Sequence, residues 1–382
     1  MIPLGVRRAF LPFAISRLLL VLVFTAIPLL QQGLADHWGA EDRMSLRLSP
    51  QAVADGLSNV AIRADATFYR AIATEGYEKR PFDTSRAANW AFFPLHPLAW
   101  RAAGALTGEW VWSGLLLANV LTWLGLGMLW TLARRLVGSD RVADMAVLFA
   151  CFWPTTYFMM LPHSESLFFL LATASLLAAR SERLWWASIL GGIASGARVN
   201  GVFLAPAIFI DRWFRGERRP MDVAKLALIG VGLAAYMVYL WKITGNPFAF
   251  KDIQIKWGRE LQPPWVALMD YVNRPLKIAM PWNPRLLNFS LTVVALCSVV
   301  ACWRRGWRDL AVFTALTVLA PLSTGTLISM TRYIGVAPGV FIALAAWAEE
   351  RPRFGALWLS ISVLAMTLLG ILFTFDIDIG SA

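Results

Sequence analysis

Long apolar stretches recur along almost the whole chain, and a chain of this kind must satisfy its backbone hydrogen bonds inside each membrane-crossing segment. A hydrocarbon core of about 30 Å takes roughly 20 apolar residues per helix. Such runs lie at about 9–31, 111–133, 142–160, 165–180, 184–197, 199–211, 223–243, 286–303, 309–327, 333–348 and 354–375. The sequence therefore predicts an all-α polytopic membrane protein of about eleven transmembrane helices, with 1–382 forming one integral membrane domain. A chain with 58% hydrophobic and 15% charged residues and a mean hydropathy of +0.57 does not suit a soluble domain. The 19 Trp suit aromatic belts at the two bilayer surfaces. Three Cys in apolar runs imply no disulfide framework. The formal charge of +11 is scattered between spans and forms no stripe of the kind that tracks nucleic acid.

The first run is longer than the roughly 7–15 apolar residues of a signal peptide, and no clear small-x-small cleavage site follows, so a retained helix is expected. Segment 91–106, AFFPLHPLAWRAAGAL, is interrupted by Pro94, Pro97 and Arg101. If it is half-inserted, every short basic loop falls on one side: Arg7/Arg8, Arg134/Arg135/Arg141, Arg180/Arg183, Arg212/Arg215/Arg218/Arg219, Arg304/Arg305/Arg308 and Arg351/Arg353. That agreement predicts a cytoplasmic N-terminus. It places an amphipathic first loop (32–110, with interfacial or re-entrant helices) and a second long loop (245–285) on the outer face. The short turns PHSES, GARVNG and STGTLISMTRY face outward too. Arg198 and Arg332 are the only basic residues in those turns, against the charge bias.

Helical spacing in RADATFYRAIATEGYE puts Asp65, Tyr69 and Ile72 on one side, with Phe68 adjacent and Gly76 ending the helix. A carboxylate at the rim of an apolar site can take a proton from a hydroxyl nucleophile, which makes Asp65 a candidate base. It can equally be a loop acid paired with Arg63. Glu165 opens a span where an acid is favoured by the helix dipole and Ser164 can cap. His163 beside it reads as a hydrogen-bonding residue more readily than as a ligand. Arg198 and Arg332, joined by Lys251, Lys256 and Arg259 in the loop TGNPFAFKDIQIKWGRELQPPW, can hold a phosphate through charge-assisted hydrogen bonds. Snorkelling to ordinary head groups is the plainer alternative. No HExxH, CxxC or DxD-like cluster is present.

Four blocks in order, RADATFYRAIATEGY with NWAFFPLHPL, WPTTYFMMLPHSESLFFLL with ASGARVNGVFLAP, TGNPFAFKDIQIKWGR, and MTRYIGVAPG, resemble the PIG-V type mannosyltransferases, membrane glycosyltransferases of the GT-C architecture. The resemblance spans about 60–340. It implies a GT-C-like bundle and transfer, with inversion, of a sugar, typically mannose, from a lipid-phosphate carrier to a hydroxyl on the outer or lumenal face. The family's base matches Asp65, its acid in Ser-Glu-Ser matches Glu165, and its arginines match Arg198 and Arg332, the latter followed by Tyr333. The sequence departs from the pattern at Ala64, where the family has Trp, and at His96 and His163, where it has aromatics. An Ala- and Arg-rich chain of 382 residues looks like a bacterial relative, which implies a plasma membrane and a polyprenyl carrier.

On this reading Asp65 and Glu165 are the catalytic acids, and Arg198, Arg332 and Lys256 bind the donor phosphate. Tyr69, Tyr77, His163, Gln254, Trp257 and Tyr333 are expected to face the sugar or the acceptor. The partners are a polyprenyl-phosphate sugar, a hydroxyl acceptor (glycolipid, wall polymer or protein) and membrane lipid, with no nucleic acid. No cofactor or metal is expected, since cations can neutralise one phosphate; a metal held by Asp65 and Glu165 is the alternative. A transporter or flippase of a lipid-linked sugar would use the same arginines and aromatics without chemistry, but it would favour internal repeats and midplane charges. Neither is evident here.

Overall fold

The computed structural model describes residues 2–37, 49–217, 219–276 and 284–376. Helix α1 (Leu4–His37) leads to three shorter helices, α2 (Pro50–Ala61), α3 (Asp65–Thr74) and α4 (Leu95–Thr107). The central series is α5 (Trp110–Val137), α6 (Asp140–Cys151), α7 (Ser164–Arg180), α8 (Leu184–Ala197), α9 (Leu204–Phe214), α10 (Pro220–Ala227) and α11 (Val231–Thr244). Short helices α12 (Ala249–Asp252) and α13 (Trp265–Asn273) follow, and then α14 (Pro284–Arg304), α15 (Arg308–Leu322), α16 (Met330–Gly335), α17 (Pro338–Glu350) and α18 (Pro352–Thr374). No strand occurs among the described residues.

Five segments are long and apolar enough to cross a bilayer by themselves: Leu4–Leu30, Trp110–Val137, Pro220–Thr244, Arg285–Arg304 and Pro352–Thr374. The remaining expected spans are also helical, but they are shorter. The 142–160 run breaks after Cys151 into a bend and a 3-10 turn, Thr156–Met159, and 199–211 opens as a 3-10 turn, Val199–Phe203. At 1.5 Å per residue, α7 with its 17 residues reaches only about 26 Å and α17 with 13 about 20 Å. Both are buried along most of their length, inside the bundle. Irregular backbone at membrane depth is tolerated where protein surrounds it or where it lines a cavity. The site is built at these breaks.

The small-residue faces explain how the helices come so close. A Cβ on Gly232 of α11 would stand 2.2 Å from the Gly192 carbonyl of α8, so only glycine permits this backbone approach. Segment 91–106 gives a 3-10 turn, Asn89–Ala91, and α4, whose 13 residues span about 20 Å. Arg101, which breaks its apolar pattern, donates to the Ala73 and Thr74 carbonyls at 2.6 and 3.2 Å and so caps the C-terminus of α3.

Charged residues collect at one end of the bundle. Arg8 reaches Asp140 and Asp144 at 3.5 and 3.4 Å, and Arg141 pairs with Glu349 at 3.1 Å. Arg135 donates to the Arg180 carbonyl at 2.9 Å, and Arg180 grips Asp309 at 2.5 Å and Asp211 at 2.9 Å. Arg212 holds Asp222, Glu182 and Glu217 at 2.9, 3.0 and 2.6 Å. The loops carrying these residues are those whose basic residues the sequence placed on one side; Arg218 lies outside the described residues. Of the two expected outer loops, 49–107 forms α2 to α4 and 245–276 forms α12 and α13, while 38–48 and 277–283 lie outside the described residues.

Candidate active site

Asp65 is the first residue of α3, and its backbone is held from both directions. Arg63 donates to the Phe373 and Thr374 carbonyls at 2.7 and 2.9 Å, which fixes the start of α3 against the end of α18. Ala64 adopts φ 51° with ψ −135°, a positive-φ conformation outside the αL region that costs an L-residue about 1–3 kcal/mol, and this sharp entry turns Asp65 inward. Gly76, with φ 94°, ends the helix through its N–H to the Ile72 carbonyl at 3.0 Å. Tyr69 and Ile72 are buried, as their helical face requires.

Three further elements bring their polar residues to Asp65. Glu165 sits in the first turn of α7, Arg198 occupies the extended residue where α8 gives way to the 3-10 turn, and Arg332 lies in α16. The turn after Arg198 is tight, since a Cβ on Gly201 would fall 2.3 Å from the Ser195 nitrogen. Trp153 fixes α16 by donating from Nε1 to the Thr331 carbonyl at 3.0 Å.

The four charges form one cluster. Arg332 Nη2 stands 2.7 Å from Asp65 Oδ2 and 2.6 Å from Glu165 Oε1, while its Nε donates to the same Glu165 oxygen at 2.8 Å. Arg198 Nη1 reaches Glu165 Oε1 at 2.9 Å and Ser164 Oγ at 3.2 Å, and the Tyr69 hydroxyl donates to Ser164 Oγ at 2.7 Å. The Arg332 guanidinium also lies over the Phe158 ring at 4.2 Å. Exposure separates the two acids: the Glu165 side chain is 2% exposed and that of Asp65 33%. Burial is the largest single influence and pushes the Asp65 carboxyl upward, but the Arg332 charge, its hydrogen bond and the neighbouring His163 together outweigh it and hold the group below its ordinary value of 3.8.

A cavity of about 510 Å³ opens over this cluster. Asp65, Tyr69, Arg198, Asn200, Arg332 and Tyr333 form its polar wall. Leu233 and Met237 of α11 with Phe248 and Phe250 form an apolar wall, and Lys251, Gln254, Trp257 and Arg259 complete the rim. Phe68 stacks on Phe92 at 4.5 Å, and Trp257 meets both edgewise at 6.1 Å, so aromatic faces border the polar floor.

Of the residues singled out in the sequence, Asp65, Tyr69, Arg198, Gln254, Trp257, Arg332 and Tyr333 share this lining. Glu165 lies beneath it, and His163 is wholly buried against Phe158, also off the lining. Tyr77 stands behind the wall, its hydroxyl donating to the Phe92 carbonyl at 2.6 Å. Lys256 is exposed and outside the lining. Ser164, Asn200 and Phe92 went unremarked as site residues; Ser164 read only as a cap, and no periodicity distinguishes the other two. Arg332 occupies the space between Asp65 and Glu165 where a metal ion would sit, and among the described residues no three His, Cys, Asp or Glu side chains come together as a ligand set.

The all-helical membrane bundle has a GT-C-like fold, shown by its likeness to a solved structure. The chain superposes on ArnT from Cupriavidus metallidurans bound to undecaprenyl phosphate with a TM-score of 0.51 at 15% identity, covering 79% of this chain and 59% of that one. The Archaeoglobus fulgidus oligosaccharyltransferase in the apo form matches with a TM-score of 0.48 at 13% identity, over 98% of this chain and 55% of that one. The chain thus spans a little over half the length of these structures. No protein-family model and no curated protein matches the sequence. Likeness at this identity speaks to the fold, and the chemistry must be argued from the cavity.

Proposed function

We propose that this protein is a membrane glycosyltransferase of PIG-V type that moves a sugar, mannose by resemblance, from a polyprenyl-phosphate carrier to a hydroxyl acceptor. The observation that carries the reading is a partly exposed Asp65 carboxylate, oriented by Arg332, at the floor of a cavity with one polar and one apolar wall. A carboxylate so placed accepts the acceptor's proton as its oxygen attacks the sugar. Attack opposite the leaving phosphate inverts the anomeric centre. Phe92 and Trp257 on the cavity lining, with Phe68 packed behind Phe92, offer aromatic faces for the sugar and exclude water. ArnT is bound to undecaprenyl phosphate in its structure, and a carrier of that chemistry fits the apolar wall of Leu233, Met237, Phe248 and Phe250.

Glu165 is a positioning residue in this scheme, since it touches both guanidiniums and lies beneath the cavity. The gathering of basic loops at the far end of the bundle supports a cytoplasmic N-terminus, with the cavity on the outer face of a bacterial plasma membrane. The residues present need no metal for a single phosphate, and we propose none.

Vesicles reconstituted with the protein, radiolabelled polyprenyl-phosphate-mannose and a crude lipid acceptor provide the test. Transfer is expected to fall about 10²–10⁴-fold in Asp65→Asn and to persist with a chelator. Transfer unchanged in Asp65→Asn would remove the base. Labelled lipid that moves between leaflets without transfer would point to a flippase.

A further inference from the structure

Three guanidiniums line the cavity, and two of them are already matched to carboxylates. Arg332 binds Asp65 and Glu165, Arg198 binds Glu165, and the four charges cancel. Arg259 is different. Its Nη1 donates to the Tyr333 hydroxyl at 2.9 Å and faces Gln254 Oε1 at 3.4 Å, and its Nη2 faces Ser329 Oγ at 3.4 Å. These acceptors are neutral, and among the described residues no carboxylate forms an ion pair with Arg259. Its Nε is buried without a hydrogen-bond partner. A half-buried guanidinium with one nitrogen buried and unpaired and no counter-charge favours an anion from outside.

The loop is anchored in place. Glu260 N–H donates to the Thr324 carbonyl at 3.3 Å and Gln262 N–H to the Ser323 carbonyl at 2.8 Å, which ties the strap carrying Arg259 to the end of α15. The Tyr333 ring lies between two cations, with Arg198 at 5.3 Å and Arg259 at 5.8 Å from its centroid. Its hydroxyl accepts from Arg259 and retains a proton to donate. Lys251 also lines the cavity, but it is 72% exposed and paired with Asp252 at 3.6 Å.

We infer that Arg259, with the Tyr333 hydroxyl beside it, receives the phosphate at this site, and that the ligand is a singly charged phosphodiester borne on a lipid. The inference rests on the proposed lipid-phosphate donor and deepens it by naming the receiving group and the charge class. One unmatched guanidinium balances one negative charge, whereas a diphosphate brings more than the neutral cluster leaves room for. The apolar wall of Leu233, Met237 and Phe248 in the same cavity favours a lipid over free phosphate. In transfer the bond from the sugar's anomeric carbon to the phosphate oxygen breaks and its electron pair stays on phosphate. The acceptor oxygen bonds to that carbon, and its proton goes to Asp65. The phosphodiester monoanion becomes a monoester dianion, so Arg259 meets charge that grows along the reaction.

The test titrates the full chain in detergent with four short-chain probes: a polyprenyl methyl phosphate, the polyprenyl alcohol, the polyprenyl diphosphate and inorganic phosphate. The methyl phosphate is expected to bind about tenfold to a hundredfold tighter than the alcohol. Arg259→Gln should abolish that preference, Arg259→Lys should retain part of it, and Tyr333→Phe should lower it severalfold. An unchanged preference in Arg259→Gln would overturn the assignment. So would tighter metal-free binding of the diphosphate, or inorganic phosphate binding as tightly as the lipid. The two readings fail separately: a phosphate preference lost in Arg259→Gln without any sugar transfer defeats the transferase, while transfer insensitive to Arg259 defeats only this inference.

Discussion

Asp65 and Glu165 are both carboxylates touching Arg332, yet their surroundings give them different work. Glu165 accepts three charge-assisted contacts on one oxygen and is shut away from the cavity; Asp65 keeps a third of its side chain open. The Asp65 pairing has a consequence for pH. Because its folded value lies below 3.8, the carboxylate and the stability it contributes are present above the unfolded value and are lost only as pH falls through the lowered one. Transfer rates should therefore show no acid limb from Asp65 between about pH 5 and 8, the window where many general bases titrate. A pH–rate profile in reconstituted vesicles checks this, and a limb near pH 6.5 that disappears in Asp65→Asn would contradict it.

At the scale of elements, the hinge between α2 and α3 matters most. Ala64 holds a positive-φ backbone that glycine adopts without strain and a β-branched residue resists. Ala64→Gly is expected to keep the melting temperature and transfer rate close to wild type. Ala64→Val should lower both, by about 1–3 kcal/mol in stability. Thermal melts in detergent alongside transfer assays measure the pair. The existence of α3 and its termination at Gly76 could be read from spacing alone, as could the helical character of most apolar runs, because periodicity and apolar length are local properties; that only five of the described helices are long and apolar enough to cross by themselves could not. The tight entry at Ala64 could not, since alanine gives no sign of positive φ. The length of α7 follows the 165–180 run, but the break that divides the 333–348 run between α16 and α17 escaped: an apolar run shows that a segment is buried, and packing decides whether it crosses.

The whole molecule sets how far sequence can reach into the site. Arg198 and Arg332 stood out as basic residues against the expected charge bias and Asp65 as a candidate base on a helical face, but their meeting depends on α3, α7, α8 and α16 converging, which no local pattern encodes. The charged end shows the same limit. Arg180 was a topology signal in the sequence; in the fold it is the centre of a buried clasp with Asp211 and Asp309, whose side chains are 3% and 2% exposed. Removing one acid from such a clasp leaves Arg180 undercompensated. Asp309→Asn should cost about 3–5 kcal/mol, read as a lower melting temperature, while the KM of the surviving enzyme for donor stays unchanged. An altered KM with an unchanged melt would show that the clasp acts on the site instead.

Helix α7 carries Glu165 in its first turn, gripped by two guanidiniums, and ends at Arg180, gripped by two carboxylates. It is thus a strut of about 22 Å keyed at both ends, and its phase is fixed as firmly as its length. One residue inserted midway would rotate one end by about 100° relative to the other, so a single key could stay seated. Every neighbour that packs against this strut inherits the same register, and the cavity floor and the opposite charged end must change together or not at all.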